Sequence, residues 1–106
     1  MILLLIVSCA GPRQTVSLPP FPEVGVEYEY LIKLPVSATQ ATVMWYYGAE
    51  TRAHMIYSSG LVNLKTTTIR TEMYFPRPGK YILVVLTQTA YGIHKDRMVY
   101  HTTTQL

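Results

Sequence analysis

The sequence predicts an all-β protein, an antiparallel sandwich of two sheets with about seven strands. Three observations carry this reading. Six to eight short segments either alternate apolar with polar residues or run apolar, and turn signals separate them every eight to twelve residues. No stretch repeats its apolar residues at the helical period. Nine tyrosines and many threonines, with few good helix formers in runs, favour pleated strands over helices.

The N-terminus stands apart from that pattern. Met1 to Val7 is unbroken apolar sequence, followed by Ser8, Cys9, Ala10 and Gly11. Seven residues span about 10 Å as a helix, against the ~20 residues that cross a bilayer. A short apolar run before small residues is the outline of a secretory signal. Ile6-Val7-Ser8-Cys9 resembles the lipobox of bacterial lipoproteins, which implies lipidation at Cys9 and a membrane anchor. Ser8-Cys9-Ala10 also fits ordinary signal cleavage before Gly11, and an uncleaved apolar segment packed in the fold or on a partner is the third option. Residues 1–10 are therefore read as a signal- or lipobox-like segment. Residues 11–23 hold four of the seven prolines (Pro12, Pro19, Pro20, Pro22) and are read as a stiff spacer. Thr15 to Leu18 has room for a short edge strand between the two proline groups.

Residues 24–106 form the sandwich domain. Val26, Tyr28, Tyr30, Ile32 and Leu34 share one strand face, with Glu27, Glu29 and Lys33 on the other, and Pro35 ends the strand. Ala41 to Tyr47 comes next, with Val43, Trp45 and Tyr47 inward and Gly48 closing it. Ala53 to Tyr57 is a shorter strand, Ser58-Ser59-Gly60 a turn, and Leu61 to Lys65 a further short strand. Thr67 to Phe75 alternates again, with Ile69, Thr71, Met73 and Phe75 on one face. Pro76-Arg77-Pro78-Gly79 then turns into Lys80 to Thr87. Here Tyr81, Leu83 and Val85 face one way and Ile82, Val84 and Leu86 the other. A strand apolar on both faces is expected at the centre of a sheet, with a layer above and a layer below. Ala90-Tyr91-Gly92 breaks this strand, and Arg97 to Thr102 is expected as the last.

The strand bearing Trp45, followed about 35 residues later by Pro78-Gly79-Lys80-Tyr81 and Leu83-Val84-Val85-Leu86, resembles the immunoglobulin-like superfamily. The Pro-Gly-x-Tyr turn is similar to that of PKD and fibronectin type III domains. Over residues 24–104 the resemblance implies Trp45 on strand C at the core. It also places Tyr81 near the start of strand F, its hydroxyl capping a backbone group, with Leu83 and Val85 as core. Leu83 stands where antibody-type domains carry a cysteine, and Trp45 is followed by Tyr46-Tyr47-Gly48, not by the acidic PKD signature.

Charge and motif content exclude several functions. Nine basic against six acidic residues give a net charge of +3, and the basic residues are scattered along the chain, so nucleic acid is not an expected partner. Cys9 is the only cysteine, which leaves no intramolecular disulfide and no thiolate metal cluster. His54, His94 and His101 lack close ligand spacing, and Asp96 is the single aspartate. No G-x-S-x-G turn or glycine-rich phosphate loop occurs. No catalytic residue, metal site or cofactor is therefore expected, and the chain is not read as an enzyme.

What remains is surface recognition. Tyr46, Tyr47, Tyr57 and Tyr74 are the candidate binding residues, as an aromatic platform for a protein or a sugar. The expectation is a non-catalytic exported binding or accessory module, a small lipoprotein subunit of an envelope assembly that meets protein partners. It would be lipid-anchored in the bacterial cell envelope, at the outer membrane or facing the periplasm. One alternative is a secreted or virion protein, a structural component decorating a particle, with the apolar N-terminus buried in the assembly. A carbohydrate-binding module is another.

Overall fold

The computed structural model describes residues 15–16, 18–35 and 37–103. They form two antiparallel sheets. In chain order the strands are β1 (Thr15–Val16), β2 (Glu27–Lys33), β3 (Gln40–Tyr47), β4 (Met55–Ser58), β5 (Val62–Asn63), β6 (Thr68–Tyr74), β7 (Gly79–Thr89) and β8 (Gly92–Thr102). One sheet has the order β1-β2-β6. The other runs β4-β3-β7-β8, with β5 also on β3. A 3-10 turn, Arg52–His54, leads into β4. The all-β sandwich expected from the sequence is what the chain adopts.

The alternation in β2 and β6 sets their pairing. Tyr30 registers opposite Thr71 and Ile32 opposite Ile69, so both strands turn the same apolar set inward. β3 is zipped along its full length to β7, with Trp45 opposite Leu83 and Tyr47 opposite Tyr81. Between the sheets lie Tyr30, Ile32, Val43, Trp45, Met73, Phe75, Tyr81, Leu83, Val85 and Tyr100. Trp45 is the hub. Its ring meets Tyr30 and Phe75 edge-on at 6.0 and 5.7 Å between centroids, and tilts against Tyr100 at 5.7 Å. Such edge-to-face pairs add about 0.5–1.5 kcal/mol each beyond the area they bury. The indole Nε1–H donates to the buried Tyr30 hydroxyl at 2.8 Å, so the one polar atom that Trp45 carries inward is satisfied.

β7 is buried on both faces, as its sequence suggested, but the expected layer on each side is corrected. Tyr81, Leu83, Val85 and Thr87 face the second sheet, and Ile82 and Val84 face away from it. No further sheet covers that outer face among the described residues. Instead Tyr46 packs on Ile82 and Val84, with Met44, Met55 and Leu86 around it. Lys95 and Arg97, which register opposite Leu86 and Val84, are both bonded to Glu50 at 2.7 and 2.8 Å. The Lys95 bond, with the Arg97 bond and the two positive charges, holds the Glu50 carboxyl below the usual range.

The last strand is longer than its sequence pattern indicated. Expected from Arg97, β8 begins at Gly92. The stretch from Ala90 to Gly92 is a tight hairpin, with Thr89 paired to Gly92, and the β7–β8 ladder continues without interruption to Thr102. His94-Lys95-Asp96 hid the strand because a charged run shows no apolar alternation. Chain in the proline-rich segment also joins the sandwich. β1 pairs with β2, Leu18 is buried, and Glu23 bridges to Thr103.

Candidate functional site

The turn before β7 is anchored by several side-chain bonds, and it shapes one end of a cleft. Tyr47 on β3 and Tyr81 on β7 are cross-strand partners, and their rings meet at 4.9 Å. Tyr81 donates its hydroxyl to the Arg77 carbonyl at 2.9 Å, and Tyr47 donates to the Pro78 carbonyl at 2.7 Å. The Tyr81 bond is the capping role that the immunoglobulin-like resemblance implied, a tyrosine corner. Thr102 adds a bond from its Oγ1 to the Arg77 carbonyl at 3.2 Å. Burial pushes the Tyr81 phenol up from its ordinary value. With the turn held so, the Arg77 guanidinium lies 4.1 Å from the centre of the Tyr47 ring, a cation–π contact worth about 0.5–1 kcal/mol at an exposed site.

From this turn a cleft of about 260 Å³ runs between the edges of the two sheets. Ile56 and Tyr57 on β4 form one wall, Met73 and Tyr74 on β6 the other. Tyr47, Pro76, Arg77 and Tyr81 close the end. β4 and β6 are each the last strand of their sheet, so the cleft is flanked by two edges with no further strand paired to them among the described residues. Ile56, Tyr57 and Tyr74 are 48, 44 and 52 % exposed, far more than large apolar side chains at a closed sandwich edge.

The four candidate tyrosines thus separate. Tyr47, Tyr57 and Tyr74 come together at the cleft. Tyr46, one residue from Tyr47 and therefore on the other face of β3, is 8 % exposed and packs on Ile82 and Val84. It is unavailable as an exposed platform residue because the outer face of β7 is itself apolar and needs covering. Trp45, Tyr81, Leu83 and Val85 are all buried between the sheets. Cys9 lies outside the described residues. Ile56 and Arg77 were not singled out in the sequence. Their only signals were an apolar residue next to Tyr57 and a cation between two prolines.

The histidines do not converge. His54 bonds to Thr51 at 2.7 Å in the 3-10 turn, and His94 to Asp96 at 3.1 Å. His94 and His101, seven residues apart on β8, point to opposite faces. Among the described residues no three of His, Cys, Asp and Glu gather where they could hold a metal ion.

Fold and cleft together define a small antiparallel β-sandwich domain with an open groove along one side. Several solved structures share that fold. The soluble domain of PmoD from Methylocystis superposes with a TM-score of 0.68 over 86 % of this chain and 90 % of its own, at 12 % identity. The superoxide reductase (neelaredoxin) of Ignicoccus hospitalis gives 0.60 over 92 % and 86 %, at 9 % identity. The sulfur carrier protein SoxY from Chlorobium limicola gives 0.51 over 85 % and 73 %, at 14 % identity. No family model and no curated protein matches the chain by sequence. At these identities the likeness is one of fold.

Proposed function

We propose that this protein is a non-catalytic binding or accessory module, exported and lipid-anchored through Cys9 as a small subunit of an envelope assembly. Its partner, on this reading, is a protein that docks at the cleft between β4 and β6. The observation that carries the proposal is the gathering of Tyr47, Tyr57 and Tyr74 beside two unpaired strand edges. Tyrosines of this kind supply large, stiff, amphipathic contact area, and open edges supply backbone donors and acceptors. The apolar run ending at Cys9 motivates the anchor. The neighbouring folds are compatible with a small domain of this type, since a sulfur carrier protein and the soluble domain of PmoD share it.

Two measurements on the full-length protein, purified in detergent from its host, test the proposal. Intact mass should show loss of residues 1–8 and added acyl chains on Cys9. An unmodified chain retaining Met1 overturns the anchor and favours the particle-component reading. Tyr57→Ser combined with Tyr74→Ser should abolish co-purification with the partner while the thermal midpoint stays within a few degrees. Undiminished co-purification sinks the cleft as the docking site.

A further inference from the structure

The cleft has a chemical asymmetry that narrows the partner it accepts. Its walls are aromatic and aliphatic, and among the described residues Arg77 is the only charged side chain lining it. No ion pair engages that guanidinium among the described residues, whereas Arg70, Lys95 and Arg97 are each bonded to a carboxylate. Arg77 is nevertheless held in place, stacked on a Tyr47 ring that is pinned by its own hydroxyl and by Tyr81. A preorganised, unpaired guanidinium at the end of an apolar groove is a receptor for a carboxylate attached to an apolar body.

The flanking edges differ as well. The β8 edge carries His94, Lys95, Asp96 and Arg97, and the β6 edge Arg70 and Glu72. Charges of this kind discourage pairing with another strand. β4, Met55-Ile56-Tyr57-Ser58, carries none. It is the one of these three edges without a charged residue, and it borders the cleft.

From these observations the geometry points to a specific occupant: an extended peptide segment of a partner protein that adds as a strand to β4. An apolar side chain of that segment fills the cleft, and an adjacent Asp or Glu side chain pairs with Arg77. This rests on the proposed binding role of the cleft and names the chemistry of its ligand. Four residues of β4 offer few backbone bonds, so side chains in the cleft and the Arg77 pair supply the selectivity.

The test is titration of the full-length 15N-labelled protein, in mild detergent, with blocked hexapeptides. The probe places one phenylalanine beside one glutamate in a threonine/valine background. The controls replace the glutamate by glutamine or the phenylalanine by alanine. The expected result is amide shifts concentrated at residues 55–58 and 74–79. Affinity should fall roughly five- to tenfold for the glutamine peptide, the size of one partly exposed charge-assisted pair. In Arg77→Gln the glutamate and glutamine peptides should bind alike. Because the peptide swap leaves the protein untouched, the comparison survives even if Arg77→Gln disturbs the turn. Equal binding of both peptides to the wild-type cleft overturns the acidic-strand assignment and leaves the binding role of the cleft standing. Shifts confined to the β8 edge, or none at all, overturn both. Occupation of the cleft by a second copy of the chain, seen as concentration-dependent shifts at the same residues without peptide, overturns the assignment too. So does binding of a simple glycan there in preference to the peptides.

Discussion

Tyr47 and Tyr81 stand opposite each other on β3 and β7 and donate their hydroxyls to consecutive carbonyls, those of Pro78 and Arg77. One pair of rings thereby fixes a turn, the position of Arg77 and one end of the cleft. The two bonds differ in burial. Tyr81 is buried and Tyr47 half-exposed, so water can replace the Tyr47 bond more readily than the other. Tyr81→Phe should therefore lower the unfolding free energy by about 1 kcal/mol. It should not cost more, because Thr102 still reaches the Arg77 carbonyl. Tyr47→Phe should cost about half as much or less. Urea unfolding with unchanged m-values checks both, and equal costs would contradict the burial argument.

Gly79 completes the same device. Its φ of +143° is one that side-chain-bearing residues rarely adopt, and a Cβ there would lie 2.5 Å from the Tyr47 hydroxyl oxygen. Gly79→Ala should destabilise by roughly 2–4 kcal/mol, backbone strain and steric overlap together. For a domain of this size that is a fall in Tm of about 10 °C or more. In the Tyr47→Phe background the closest overlap goes, while the ring carbons at 2.9 and 3.0 Å and the backbone strain stay, so the double variant should lose somewhat less than the sum of the single ones. Simple additivity would show that Tyr47 does not constrain the turn.

The fold was legible where one strand face met the core. In β2 and β6 the alternation of Tyr30 and Ile32, or Met73 and Phe75, with charged residues fixed which side chains point inward. Tyr81 stood out because it follows a Pro-Gly turn into an apolar strand, and Trp45 because it is a large aromatic at an inward position of an alternating strand. The cleft was only partly legible. Tyr57 and Tyr74 are 17 residues apart on strands of different sheets, and their meeting depends on β4 and β6 being edges on the same side. No local pattern encodes that. The burial of Tyr46 also rests on a distant partner, the outward face of β7. β8 escaped notice up to Arg97 because a ladder to β7, and not its own hydrophobicity, makes it a strand.

The buried bond from Trp45 to Tyr30 offers a third prediction. Tyr30→Phe keeps nearly all the packing but leaves the indole N–H without its partner, about 1–3 kcal/mol of uncompensated desolvation. Trp45 is the only tryptophan, so its fluorescence reports the change directly. The emission should stay that of a buried indole while the urea midpoint falls. A red-shifted emission in the folded variant would mean that water has entered the core to satisfy the N–H, and stability would then drop less.

Alkaline pH should unfold this protein through its inward tyrosines. Burial raises Tyr30, Tyr81 and Tyr100 above the ordinary phenol value of 10.0, Tyr100 to about 12. The folded state therefore holds protons that the unfolded chain has released once the pH passes the ordinary value. The contribution of these phenols should be constant below the ordinary phenol range and decline as pH rises from it toward about 12. Each fully protected phenol adds a slope of about 1.4 kcal/mol per pH unit. Tyrosinate absorbance from Tyr30, Tyr81 and Tyr100 should rise in a steep step that coincides with loss of tertiary structure. Tyr100→Phe should move the steep step to higher pH, because one fewer phenol ionises on unfolding. Its Oη makes only a 3.8 Å contact to the Met98 sulfur, so the substitution should cost little at neutral pH. Smooth titration of all tyrosines in the folded protein would show that the core admits charge and refute the mechanism.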